Sequence, residues 1–322
     1  MATSGLSART EPFRGVRPLN LSRDTTQVVR LLNLVFGPTI EQEGQRLLDG
    51  SLATGAFMAR INQMTQTASP GFVWEEDRRI VGNVSLMSSP VSGRYLIANV
   101  AVHPDFRRRG IGRVLMERAM EAVVQKRGRA VLLQVRDDNA EAIRLYQSLA
   151  FKLVGTMSSW QASAHQLNEL NQHSSGLIIR PLARSEWEEA IQLDRTVTPP
   201  DLDWPEPLPY DIYKSGFWRW FYNLVNGRQV ETWTTVRQGQ IAGLAQITAE
   251  FGRPHQLRVR VAPEWQAELT RPLLAKLLRR LGYMRYRAVI MDHPTEDETM
   301  KPLLHQAGFR LIRTLSTMKV VL

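Results

Sequence analysis

The chain states one structural plan twice. Val16-Arg17-Pro18-Leu19 returns as Ile179-Arg180-Pro181-Leu182, each ahead of a helical pattern, and Ser185 with Glu188 reads as a capping box for the second of these helices. Next comes a hairpin pattern in each half. Phe72-Val73-Trp74 turns at Asp77-Arg78 into Ile80–Leu86, and Thr232–Val236 turns at Gln238-Gly239 into Ile241–Ala245. Val100–Pro104 then matches Val259–Pro263, and Leu149–Leu153 matches Gln306–Leu311. The offset stays at about 160 residues throughout, which makes two copies of one α/β unit the expectation. The boundaries that follow are a disordered N-terminus over 1–12, a first domain over 13–161, a linker over 162–176 and a second domain over 177–322.

Length agrees, since 322 residues suit two domains of about 150 residues each. The linker is polar and rich in Gln, Asn, Ser and His. No run of about 18 apolar residues stands out, so no membrane span is expected. Met1–Glu11 lacks the apolar core of a secretory signal. The chain has no cysteine, which excludes disulfides, Cys-bound zinc and a cysteine acyl-enzyme, and suits a reducing cytoplasm. Scattered histidines lack metal-site spacing, so no metal is expected. A net charge of +10 attracts polyanions. The basic residues are spread out and no long basic tail or aromatic-interleaved stacking run stands out, so a solvated basic surface with a phosphate pocket is preferred over nucleic-acid binding.

The sharpest local signal is Val100–Arg113. It reads as a strand, an arginine-rich turn with Gly110 and Gly112, and a helix with Val114, Leu115, Ala119, Ala122 and Val123 on one face. First-turn helix N–H groups have no internal partner, and the helix dipole adds positive potential. Glycines there let an anion approach the backbone. The pattern builds a diphosphate nest. Downstream, the strand Val131–Val135 leads to Asp137-Asp138-Asn139, where Asp138 or Asn139 suits a helix N-cap. Tyr146 lies two helical turns after Asn139, on the same face.

These two stretches resemble the acetyl-CoA signatures of the GNAT-superfamily N-acetyltransferases. The loop pattern Gln/Arg-x-x-Gly-x-Gly/Ala stands complete as Arg107-Arg108-Arg109-Gly110-Ile111-Gly112. Asn139, Ala142 and Tyr146 fill the family's Asn-x-x-Ala-x-x-x-Tyr, and Ala150-Phe151 replaces its Gly-Phe. The resemblance implies two tandem GNAT-like α/β (α+β) domains, each a mixed, mostly antiparallel twisted sheet flanked by helices. It also implies direct acetyl transfer from acetyl-CoA to a primary amine of a small molecule or peptide. By the same resemblance, the strand Tyr95–Val102 splays from its neighbour, and Val100 and Val102 offer main-chain groups to pantetheine, one N–H polarising the thioester. The N–H groups of Arg108–Arg113, with Arg107 beside them, hold the pyrophosphate. Asn139 would bond the pantetheine arm and Tyr146 would protonate the departing thiolate.

The general base is less defined. The glutamate used by the histone-type branch falls at Leu96, leaving Glu75, Glu76 or a water relayed by Asn99 or Tyr95 open. In the second half, Gln266, Leu269 and Arg271 stand at the Arg107, Gly110 and Gly112 positions, followed by Pro272 as a first-turn helix residue. Asp297 and Leu304 stand at the Asn139 and Tyr146 positions. That copy is expected not to bind CoA in the usual way. The acceptor side is expected near the early helices of the first half, with Phe36, Phe57 and Met58. The aromatic segment 198–224 is either a lid or interface packing. The rival reading is an acyl-CoA sensor or scaffold without turnover.

Overall fold

A computed structural model describes residues 13–42, 71–170, 177–199, 201–202, 211–214, 216, 221, 223 and 225–322. The N-terminal twelve residues, Phe57, Met58, 171–176 of the linker and most aromatic side chains of 198–224 lie outside the described residues. Contacts divide the chain into two compact units.

The first unit comprises 1–134, 144–151 and 319–322. Its strands β1 (Arg14–Pro18), β2 (Phe72–Glu76), β3 (Arg79–Ser88), β4 (Arg94–Val102) and β5 (Ala130–Arg136, to Gln134 in this unit) lie side by side in that order. Neighbours are antiparallel except β4 and β5. Parallel partners need a crossover, which is the helix α2 (Ile111–Gln125). The β2–β3 hairpin turns at Asp77 and Arg78, both at positive φ (52° and 63°), as the twist of a two-residue turn requires.

Helix α1 (Leu21–Gln42) buries Val28, Leu31 and Leu32 against Val73, Ile80 and Ala101. Trp74, next to Val73 and therefore on the opposite face, lies beside Gly82 and α2. A Cβ at Gly82 would stand 2.9 Å from side-chain carbons of Ile111 and Leu115. The glycine therefore sets how closely α2 lies on β3.

The second unit comprises 135–143 and 152–318. Its strands are β6 (Lys152–Ser163), β7 (Arg180–Pro181), β8 (Arg228–Arg237), β9 (Gln240–Glu250), β10 (His255–Val261), β11 (Ala288–Pro294) and β12 (Arg310–Val321). They run in the order β12-β6-β11-β10-β9-β8-β7. Again a parallel pair occurs, β10 with β11. β6 belongs to the first sequence half, yet it pairs antiparallel with β11, Trp160 facing Met291. Conversely, the last residues of β12 belong to the first unit, where the Leu322 N–H donates to the Arg129 carbonyl at 3.0 Å. Ala162, placed in the linker from sequence, is inside β6, and Leu170 is buried in this unit's core.

The repeat is physical as well as sequential. Arg17 grips Asp24 with two nitrogens at 2.5 and 2.9 Å, and Arg180 grips Glu186 at 2.8 and 2.6 Å. Each arginine thus ties its strand to the turn that follows. Burial alone would raise the Asp24 carboxyl; the Arg17 hydrogen bond and charge outweigh it and hold Asp24 below the usual carboxylate range. In the first unit Gln27 Oε1 accepts the Ile80 N–H at 3.0 Å; in the second, Glu189 Oε1 accepts the Ile241 N–H at 2.5 Å. Gly243 lies under Leu269 and Leu273 as Gly82 lies under Ile111 and Leu115.

Two local expectations are corrected. Ser185 and Glu188 form no capping box. Ser185 lies in a 3-10 turn (Arg184–Glu186), Glu186 accepts the Ala183 N–H at 2.9 Å, and α4 (Trp187–Val197) begins after it. Arg180 draws the carboxylate nearest to it, which is Glu186. Pro272 is not a first-turn residue either, because α5 (Gln266–Leu281) starts six residues earlier.

Ala150 has φ 65°, a left-handed conformation that suits glycine, and its counterpart Gly308 has φ 87°. A Cβ in that region costs about 1–2 kcal/mol. Ala150→Gly is therefore expected to stabilise the protein by about 1 kcal/mol, read as a higher midpoint in urea unfolding with an unchanged slope.

Candidate active site

The nest is built in the first unit. After a 3-10 turn (Pro104–Phe106), Arg108 and Gly110 adopt positive φ of 60° and 76°, and α2 starts with Gly110 as an N-cap that has no capping side chain. The first helical bond runs from the Val114 N–H to the Gly110 carbonyl. Among the described residues, the N–H groups of Arg108 to Arg113 find no backbone acceptor. They line a curved run of donors at the positive end of a helix.

The two glycines have different reasons. Gly110 is set by its φ, with no atom within 4 Å of where a Cβ would stand. Gly112 has no such φ, and a Cβ there would meet only Leu145 at 3.4 Å and Val102 at 3.7 Å, ordinary contacts. Among the described residues, neither backbone nor packing forbids a side chain at Gly112. The arginines frame this surface. Arg107 Nε donates to the Val102 carbonyl at 3.4 Å. Arg109 lies 4.8 Å over the Phe106 ring, and Arg113 donates to Ser148 Oγ at 2.6 Å. Arg108 is exposed.

Strand β4 leads into the nest with two irregularities. Its parallel pairing with β5 ends at Ile97 opposite Leu133, although β4 continues to Val102. Its pairing with β3 jumps from Ser85–Ala98 to Asn83–Ala101, so Asn99 and Val100 share one opposing residue. This is a β-bulge, with Asn99 at φ 53°. On the β5 side Val100 and Val102 thus have no strand partner among the described residues, the Val102 carbonyl accepting only from Arg107.

A buried polar clamp fixes the bulge. Asn83, fully buried, donates to the Asn99 carbonyl at 2.8 Å, and Asn99 Nδ2 donates to Ser85 Oγ at 3.2 Å. The sequence reading passed over Asn83 and Ser85. Their signal was two polar residues alternating inside the otherwise apolar run Ile80–Leu86.

Helix α3 (Ala140–Ser148) carries Tyr146, next to the Leu145 that borders Gly112. Tyr146 is buried, with its ring 6.1 Å from that of Phe151. Desolvation pushes its hydroxyl up to about 12, so the phenol keeps its proton. Asn139 lies in the segment that contacts assign to the second unit. It, not Asp138, is the N-cap: its Oδ1 accepts the Ala142 N–H at 3.1 Å. Asp138 pairs instead with Arg136 at 2.8 Å, a hydrogen bond that holds its carboxyl low.

The base candidates divide. Leu96 is buried and has no titratable group. Glu75, left open as a base from sequence, is buried and clasped by Arg17 at 2.6 Å and Arg23 at 2.9 Å. Both cations come from elements distant in sequence, β1 and α1. Glu76 lies 3.5 Å from Arg14 and 3.8 Å from Arg109.

In the second unit the equivalent turn is gone. A 3-10 turn (Pro263–Trp265) runs directly into α5, and Leu269, expected from sequence at the Gly110 position, packs on Gly243 as Ile111 packs on Gly82 and is fully buried in the core. Leu304, at the Tyr146 position, is likewise buried, in α6 (Met300–Gln306). Asp297 bonds His293 at 2.8 Å. An added helical turn has replaced the nest.

The fold is that of an acetyltransferase-type mixed α/β protein in two copies. Residues 39–151 match the Acetyltransferase (GNAT) family. It is similar to the peptidyl-lysine N-acetyltransferase YiaC of Escherichia coli K12, 40% identical over 90 residues, which is 28% of this chain and 53% of that protein. It is also similar to the [ribosomal protein bS18]-alanine N-acetyltransferase of the same strain, 52% identical over 54 residues, 16% of this chain and 36% of that protein. The chain thus spans about half of the first relative and about a third of the second. Among solved structures, a GCN5-related N-acetyltransferase from Sphaerobacter thermophilus shares the fold across 95% of both chains, with a TM-score of 0.63 and 14% identity. A tandem GNAT protein from the clavulanic acid biosynthesis pathway does so across 95% of this chain and 98% of its own, with a TM-score of 0.50 and 16% identity. No described helix is long and apolar enough to cross a membrane, and no metal-binding cluster occurs among the described residues.

Proposed function

We propose that the first unit transfers an acetyl group from acetyl-CoA directly to an amine, and that the second copy has lost this capacity. The observation that carries the reading is Gly112, a glycine that neither backbone nor packing requires, in the first turn of a helix whose N–H groups lack acceptors. In this reading the N–H groups of Arg108, Arg109, Gly110, Ile111, Gly112 and Arg113 bind the diphosphate, with the Arg107 and Arg108 side chains adding charge. Val100 and Val102 offer main-chain groups to the pantetheine arm, Asn139 offers its amide, and one N–H at the bulge polarises the thioester carbonyl. Tyr146 donates its O–H to the sulfur as the C–S bond breaks. A free thiol has a pKa of about 8.5, well below that of Tyr146, so donation of a hydrogen bond is the larger part of this role. The cysteine-free chain carries out the transfer in the cytoplasm without an acyl-enzyme.

The acceptor we infer is an amine of low pKa, such as a peptide α-amine. An α-amine with a pKa of about 8 is partly neutral near neutrality, whereas a lysine at about 10.4 is almost wholly charged. With Glu75 held by two arginines, the amine's own acidity decides how much nucleophile is present. The relatives named for peptidyl-lysine and for an alanine of ribosomal protein bS18 are compatible with a peptide acceptor. At pH 7.5 an alanine-initiated peptide is expected to react about 10²-fold faster than an Nα-blocked lysine peptide, measured as release of free CoA thiol. Equal rates would point to an unassigned base. Acetyl-CoA binding with no thiol release from any amine would favour the sensor reading.

A further inference from the structure

The second unit carries a surface that the acetyl-transfer reading does not use. Where α5 ends, Tyr283, Arg285, Tyr286 and Arg287 follow one another closely. Phe251, from the turn between β9 and β10, borders the same cleft of about 510 Å³ as Tyr283, Arg285 and Arg287. The rings are unusually open: Tyr283 is 80% exposed, Tyr286 65% and Phe251 76%. Two of them are held from one side. Tyr286 stacks on His165 at 4.5 Å and an interplanar angle of 21°, and the Arg287 guanidinium lies 5.7 Å over Phe251.

Charge around the cleft is predominantly positive. Arg280 pairs with Glu231 at 2.6 Å and exposed Arg253 lies 3.2 Å from Glu250. Arg287 donates to the carbonyls of Glu250 and Arg253 and has no carboxylate partner among the described residues, and Arg285 is exposed. At the base lies His255, 3% exposed. Its Nε2 donates to the Arg285 carbonyl at 2.9 Å, since a carbonyl only accepts, and its buried Nδ1 has no partner.

We propose that this face binds single-stranded nucleic acid, with bases stacking on Tyr283, Tyr286 and Phe251 and phosphates meeting Arg253, Arg285 and Arg287. Exposed flat rings interleaved with guanidinium groups match alternating bases and phosphates. An acidic peptide would satisfy the arginines and leave the rings in water. The order of residues 279–287 is an aromatic-interleaved basic run, although its length hides it in a chain whose arginines are otherwise dispersed.

The test is fluorescence anisotropy of a labelled single-stranded RNA of about 12 nucleotides with the full-length protein at two salt concentrations. The paired variant Tyr283→Ala/Tyr286→Ala is expected to weaken binding at least about tenfold while keeping the salt slope. Arg253→Ala/Arg285→Ala is expected to flatten that slope by roughly one to two. Both variants should bind acetyl-CoA as the parent does, which separates this proposal from the catalytic one. Absence of RNA binding, affinity indifferent to the tyrosines, or equal binding of polyglutamate would overturn it.

Discussion

Gly112→Ala is expected to move stability and binding in opposite directions. Without ligand, alanine favours a helix over glycine by about 0.5–1 kcal/mol, and a Cβ there meets only ordinary contacts with Leu145 and Val102. The unliganded protein should therefore unfold at slightly higher urea. Affinity for acetyl-CoA should fall, because the methyl stands where a diphosphate approaches the N–H groups. With Gly112→Val the obstruction is larger. Loss of one or two hydrogen bonds to a charged group, each about 1.5–3 kcal/mol, predicts a Kd raised about 10²-fold in calorimetry. An unchanged Kd in the valine variant would remove the diphosphate nest from the account.

Tyr146→Phe is expected to lower kcat by about 10²–10³ with little change in acetyl-CoA affinity. The ring keeps its packing on Phe151 and only the hydroxyl is lost. Single-turnover measurements with the alanine-initiated peptide separate the chemical step from binding. The pH profile gives a second check. Burial pushes this hydroxyl up to about 12, so it is protonated, and able to donate, at every lower pH. The rate should rise with pH as the amine loses its proton and show no falling limb from Tyr146 up to about pH 10. A falling limb near neutrality that vanishes in the phenylalanine variant would mean the tyrosine ionises in the working range. A variant with full kcat would deny it a part in thiolate departure.

The glycine turn and the helix start after it were legible in the sequence because their determinants are local. Gly110 and Gly112 specify backbone within one turn, and the helix that follows shows its apolar face by period alone. The hairpins were legible for the same reason, since Asp77-Arg78 and Gln238-Gly239 fix their turns. The clasp on Glu75 was not legible because its cations, Arg17 and Arg23, come from β1 and α1. Asn83 and Ser85 were missed because their partner Asn99 is on the next strand. Pro272 was misplaced because a buried leucine at 269 lets the helix start earlier than its glycine-bearing counterpart.

By itself the sequence determined that the chain holds two copies of one plan, and that the glycine turn survives in the first alone, since both follow from residue types at fixed spacing. Only the tertiary structure decided that β6 pairs with β11 and that Leu322 bonds Arg129. Backbone pairing between strands leaves no mark in the local pattern of either, because every residue offers the same N–H and C=O. The same physics decided that the Asn83 clamp sits under a bulge and that Tyr146 is buried enough to keep its proton.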